Sequence, residues 1–188
     1  MQGYWFVAIG AIAALVLALI LALLVWRRRQ SDLGSTVRSV AIDSAHRVLV
    51  PNGMGGYIEL EHLLLTAHGL VVVDTKAFEG TIFGSDRMEE WTVMSRQRRF
   101  TFPNPQHTLY DRIAAVRRLV RDIPVEGHVV FSPAADFSKG RPREVMLADE
   151  FVERYKKPDR GEVERLKAAF APQWERVREA LQPVSDAR

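Results

Sequence analysis

The run Trp5–Trp26, WFVAIGAIAALVLALILALLVW, constrains this chain more than any other stretch. It holds no charged side chain, and its only hydrogen-bonding side-chain groups are the two indole N–H groups at its ends. At about 1.5 Å per residue, a helix of this length measures roughly 33 Å, enough to cross a hydrocarbon core of about 30 Å. Tyr4, Trp5 and Trp26 stand where an interfacial aromatic belt would stand. A cleaved signal peptide needs a basic start, a shorter apolar core and a small-residue cleavage site. Here the basic residues follow the core, and Leu23-Leu24-Val25-Trp26 is a poor cleavage context. The expectation is therefore a membrane anchor over residues 1–26, with its span at 5–26.

Arg27, Arg28 and Arg29 follow at once. An excess of basic residues beside a span marks its cytoplasmic side. This places the N-terminus outside and the rest of the chain in the cytoplasm, as a single-pass cell-membrane protein with the lipid bilayer as its first partner. The triplet also accounts for the net charge of +3. All 26 Lys and Arg lie after the apolar run, and without the triplet the basic residues equal the 23 acidic ones. The excess is a juxtamembrane patch suited to anionic headgroups. A nucleic-acid site would have to be a local cluster, not a broad positive face. The absence of cysteine excludes disulfides and cysteinyl metal sites.

The remaining chain reads as α/β (α+β). Residues 27–45 are expected to be a basic juxtamembrane linker, polar to Ser39, with a short helix at 37–45. Strands are expected at Arg47–Val50, Tyr57–Leu65 and Gly69–Lys76, separated by the PNGMGG turn and the TAHG hairpin loop. Shorter strands follow at Thr81–Phe83 and Trp91–Met94. Asn104 is a good N-cap and Pro105 a good first helical residue, and Leu109, Ile113, Val116 and Val120 recur at helical spacing. Arg96, Arg98 and Arg99 fall in an expected loop, suited to a phosphate backbone if not merely solvated. His128–Ser132 and Arg143–Leu147 read as further strands. Residues 151–188 form a helical segment, in which Pro172 should give two helices or one sharply kinked helix.

The stretch GLVVVDTKAFEG (Gly69–Gly80) carries the chemistry. Strand side chains alternate faces, so Asp74 and Lys76 share one. Glu59 and Glu61 share a face on the preceding strand, where an acid can meet them if the strands pair. Carboxylates with a backbone carbonyl make a hard oxygen site suited to Mg²⁺. A neighbouring ammonium can stabilise charge developing on a phosphoryl group. A surface ion pair at a strand end is the bland alternative. His62 points the other way and reads as a packed histidine, and the remaining histidines show no metal spacing.

The stretch ELEHLLLTAHGLVVVDTKAFEGTIFG, then Trp91, then FPNPQHTLYDRI, resembles the nuclease-related domain, NERD, over roughly residues 45–132. The resemblance implies a restriction-endonuclease-like mixed sheet flanked by helices, here within residues 46–150. It implies DNA processing by a metal-dependent hydrolase. Glu61 takes the place of the first acid, usually Asp; Asp74 takes the second, more often Glu; Lys76 takes the lysine. The implied Mg²⁺ ligands are Glu61, Asp74 and the Thr75 carbonyl. The Gly-Glu pair that family members commonly carry on a preceding helix has no counterpart in residues 31–50, and Gln106 follows Pro105 directly. The alternative is a catalytically silent nucleic-acid- or protein-binding scaffold of the same fold at the membrane; a purely structural membrane protein is a third reading.

Overall fold

The computed structural model describes residues 16–18, 20–21, 23–25, 28, 32–96 and 98–184. Most of the expected span at 5–26 lies outside these residues. Among the described residues no helix is long and apolar enough to cross a membrane.

The first ordered element of the body is a helix, α1, at 32–39. It lies earlier than the helix expected at 37–45, and in what reads as linker. The reason is packing: Leu33 and Val37 sit one turn apart and are buried, with Val40 and Ala41 closing the same face. The chain is already extended at Asp43, where strand β1 (Asp43–Pro51) begins. Strands β2 (Tyr57–Thr66) and β3 (Gly69–Lys76) follow. Both pairings, β1–β2 and β2–β3, are antiparallel.

The chain then leaves this sheet. Strands β4 (Gly80–Phe83), β5 (Glu90–Met94) and β6 (Arg99–Pro103) form an antiparallel meander, completed by β8 (Ala135–Asp136) beside β4. Strand β6 replaces part of the expected arginine loop. Phe100 and Phe102 alternate inward, packing edge-on against Phe78, while Arg99, Thr101 and Pro103 face out.

Helix α2 (Pro105–Leu119) returns the chain to the first sheet, capped by the Asn104 side chain, which accepts from the Gln106 N–H. Strand β7 (Val125–Phe131) then lies parallel to β3, from Leu70↔Val125 to Lys76↔Phe131. Strand β9 (Val145–Leu147), helix α3 (Ala148–Arg154), helix α4 (Arg160–Ala180) and strand β10 (Gln182–Pro183) complete the order. The large sheet runs β10-β1-β2-β3-β7-β9.

Two apolar layers sandwich that sheet. On one face α2 and α4 bring Leu109, Ile113, Trp174 and Val177 against Leu63, Leu65, Val72 and Val129. On the other, α1 and α3 bring Leu33, Val37 and Phe151 against Leu64, Val71, Val73 and Val130. Gly127 of β7 has no room for a side chain: a Cβ there would lie 2.5 Å from Ile113 Cδ1. Helix α4 continues through Pro172 as one element, at the cost of one helical hydrogen bond. Its second half is held by the burial of Trp174 and Val177 and by the Trp174 Nε1–H bond to Asp43 Oδ2 at 2.7 Å. The result is a mixed α/β fold whose three parallel strands, β3, β7 and β9, end on the same side.

Candidate active site at the end of strand β3

Strands β2 and β3 pair from Thr66↔Gly69 as far as His62↔Val73. Continuing that register would set Glu61 opposite Asp74. There the ladder stops, and the reason lies one strand further out. Strands β1 and β2 pair at His46↔His62 and again at Val48↔Leu60, but not at the intervening Arg47 and Glu61. Arg47 has a φ of 49°, a left-handed conformation unusual for a side chain with a Cβ. Leu60 and Leu63 both contribute to the α2-side core, as do Val48 and Ala45 opposite them. Residues three apart should face opposite ways in a regular strand. Side-chain alternation therefore switches phase in both strands at Glu61.

The switch decides where Glu61 goes. Its Oε2 accepts the Thr75 N–H at 2.9 Å, and its Oε1 accepts the Thr75 hydroxyl. The carboxylate thus stands in the seam between β2 and β3 and takes the place of a strand partner. Behind it, His62 is buried against Gly34 of α1. His62 Nδ1 accepts from Arg38 at 3.4 Å, which leaves the proton on Nε2, 3.7 Å from Glu61 Oε1. Burial pushes the His62 imidazole down to about 4 despite the Glu61 charge beside it.

Asp74 faces the α2 side. It is 2 % exposed. Its Oδ2 accepts from Arg112 Nη1, whose Nε–H also donates to the Glu59 carbonyl at 2.6 Å. Its Oδ1 is buried and has no hydrogen-bond partner among the described residues. Burial holds the Asp74 carboxyl above its ordinary range, with the Glu61 charge acting in the same direction; Arg112 and Lys76 act against it. Lys76 is half-buried at the strand end, and its carbonyl accepts from Ser132 N–H at 3.1 Å. The structure thus brings Asp74 and Lys76 to one face and Glu61 into the adjoining seam, within electrostatic reach of Asp74. A cavity of about 370 Å³ lies past the carboxyl ends of β3 and β7 on the other face of the sheet, the α1–α3 side, lined in part by Asp32, Leu33, Thr36, Ala77, Ser132 and Ala148. In open α/β sheets this is the usual place for ligands.

Arg112 is the member the sequence did not single out. The helical pattern reads its arginines as lying off the apolar stripe. Arg112 sits three residues after Leu109 and four before Val116, which puts it on the stripe, and its side chain is only 19 % exposed. That spacing was the available signal.

Among the described residues no three His, Cys, Asp or Glu side chains gather into a metal-binding group. The donor set still fits one hard cation. Asp74 Oδ1 is an orphaned buried carboxylate oxygen, the kind of atom that an ion or a water satisfies. Each Glu61 oxygen keeps a lone pair beyond its bond to Thr75. An extended residue directs its N–H and C=O to the same edge, so the Thr75 carbonyl faces the same seam as the N–H that Glu61 accepts.

Comparison with known proteins places this geometry. Residues 42–132 match the family model of the nuclease-related domain. This part of the chain is a nuclease-related domain. The match runs from the start of β1 through β7 and contains Glu61, Asp74, Lys76 and Arg112, and the family is restriction-endonuclease-like. An uncharacterized protein of Bacillus anthracis is 30 % identical over 95 residues. That alignment covers 50 % of this chain and 45 % of the relative, so the chain spans under half the length of the curated protein it matches. No solved structure matches it.

Proposed function

We propose that this chain is a membrane-anchored nuclease of the nuclease-related type, hydrolysing phosphodiester bonds in DNA at the end of β3 with a Mg²⁺ ion bound. The observation that carries the reading is Asp74: a buried carboxylate with one unsatisfied oxygen, beside a second carboxylate and a lysine. Glu61, Asp74 and the Thr75 carbonyl would hold the ion. When bound it supplies Lewis-acid polarisation of a phosphoryl oxygen and a more acidic water. Lys76, on the face of Asp74, stabilises the negative charge that builds on the phosphate. His62 and Thr75 fix Glu61 from behind. The turn carrying Arg96, Arg98 and Arg99 contacts the phosphate backbone: all three are exposed, and the turn follows Met94, which packs on Gly80 only four residues after Lys76.

Two features support the anchor and its orientation. The residue 5–26 run has the length and flanks of a span, and Val16, Leu17, Ile20, Leu21, Leu23, Leu24 and Val25 are exposed apolar side chains. The domain then lies at the cytoplasmic membrane surface. A specific observation favours the silent scaffold as a second reading: Arg112 already neutralises Asp74. The experiment is Mg²⁺-dependent hydrolysis of end-labelled single- and double-stranded DNA by the detergent-solubilised full-length protein. Divalent-dependent cleavage supports the nuclease; binding of DNA with no cleavage favours the scaffold.

A further inference from the structure

We infer that Arg112 is a resident counter-ion that competes with the divalent cation for Asp74, so that the site holds metal weakly until an incoming phosphate draws the guanidinium away. The inference rests on the nuclease reading and names the group that regulates its metal.

Three observations carry it. The Arg112–Asp74 pair is almost dry, with the two side chains 19 % and 3 % exposed. Only one Asp74 oxygen is used by it, and the other is buried with no hydrogen-bond partner among the described residues. A guanidinium seeking carboxylate alone would take both oxygens, because its fork matches them. Arg112 instead spends its Nε–H on the Glu59 carbonyl. That bond holds the side chain across β2 and β3 and aims one nitrogen at Asp74.

The consequences are electrostatic. A fixed positive charge beside a carboxylate lowers the affinity of that carboxylate for a cation as surely as it neutralises the carboxylate in the cation's absence. Among the described residues no third carboxylate joins Glu61 and Asp74 in a metal-binding group. Two carboxylates and one arginine sum to a single negative charge, before Lys76 is counted. A substrate phosphate changes this balance. It offers the guanidinium a better bidentate partner and frees the Asp74 oxygen for the ion. Arg112 thereby couples metal binding to substrate binding.

The test is Mn²⁺ binding, read by the EPR signal of the free ion, to the full-length protein in detergent at pH 8. Wild type, Arg112→Gln, Arg112→Lys and Asp74→Asn are compared, with thermal unfolding of each as the check on folding. Arg112→Gln should bind Mn²⁺ on the order of tenfold tighter than wild type, the effect of removing one unit charge a few Å away in a half-buried site. Arg112→Lys keeps the charge and should stay within a few-fold of wild type, even if the lost Glu59 bond lowers its melting temperature. A short DNA that binds the protein should tighten Mn²⁺ binding in wild type and much less in Arg112→Gln. If wild type binds Mn²⁺ in an Asp74-dependent way and a folded Arg112→Gln binds it no tighter, the counter-ion role is overturned and the nuclease reading stands. If no variant shows Asp74-dependent binding, with or without DNA, both are overturned.

Discussion

Glu61 accepts two hydrogen bonds from Thr75, one from its amide and one from its hydroxyl. This single relationship ties the two halves of the site together. It closes the seam where the β2–β3 ladder stops, and it holds the first acid next to the strand that carries the second. Thr75→Val keeps the shape of the side chain and removes the hydroxyl donor. The loss of a buried hydrogen bond to a charged group should cost about 1.5–3 kcal/mol. Denaturant unfolding of wild type and variant, followed by tryptophan fluorescence, measures it. Thr75→Ser should recover most of the difference, since the hydroxyl returns and only a methyl is lost.

His62 makes the fold sensitive to acid. Its folded-state value is depressed from 6.5 to about 4, chiefly by burial. Above pH 6.5 the imidazole is neutral in both states and its contribution to stability is complete. As the pH falls from 6.5 toward 4, the unfolded chain takes up a proton that the folded one refuses. Stability then declines by up to about 1.4 kcal/mol per pH unit from this one group. Asp74 acts in the opposite sense, because its carboxyl is raised and its contribution is lost as the pH rises. The comparison that isolates His62 is therefore wild type against His62→Asn. Unfolding midpoints between pH 7 and pH 4.5 should fall more steeply for wild type, and the two curves should run parallel above pH 7.

The arginine turn should behave as a backbone contact. Replacing Arg96, Arg98 and Arg99 together by Gln should weaken DNA binding similarly for unrelated sequences. The dependence of log affinity on log salt should flatten by roughly one to three, according to how many of the three reach phosphates. Fluorescence anisotropy at several salt concentrations reads both effects. Melting temperature should hardly move, because all three side chains are exposed.

The anchor has a direct test in cells. A reporter fused after Arg188 should report a cytoplasmic location, and the protein should fractionate with membranes and resist alkaline extraction. Deleting residues 5–26 should move it to the soluble fraction.

The helical and strand elements nearest the chemistry were legible because their signals are local. Asn104-Pro105 announces α2, and the continuous apolar runs before Thr66 and after Gly69 announce β2 and β3. What the sequence hid is cooperative. The phase switch at Arg47 and Glu61 requires two strands to break step together, and neither residue is a glycine that would advertise it. Helix α1 was obscured by its polar surface residues, Ser35, Thr36, Arg38 and Ser39, around a short apolar face of Leu33 and Val37. Arg112 was hidden by company: in a helix rich in arginine, only its place three residues after Leu109 and four before Val116 marks it as the one that turns inward.

The central claim is that Asp74 binds a divalent ion that cleavage requires. The most direct measurement is the rate of DNA cleavage by the full-length protein against Mg²⁺ concentration, for wild type, Asp74→Asn and Lys76→Ala. Asp74→Asn should remove cleavage at every Mg²⁺ concentration, since a neutral amide cannot replace the charge that holds a hard cation. Lys76→Ala should lower the maximal rate at least tenfold while leaving the half-saturating Mg²⁺ concentration within a few-fold, because its ammonium acts on the phosphate. Cleavage that survives both substitutions unchanged would contradict the account.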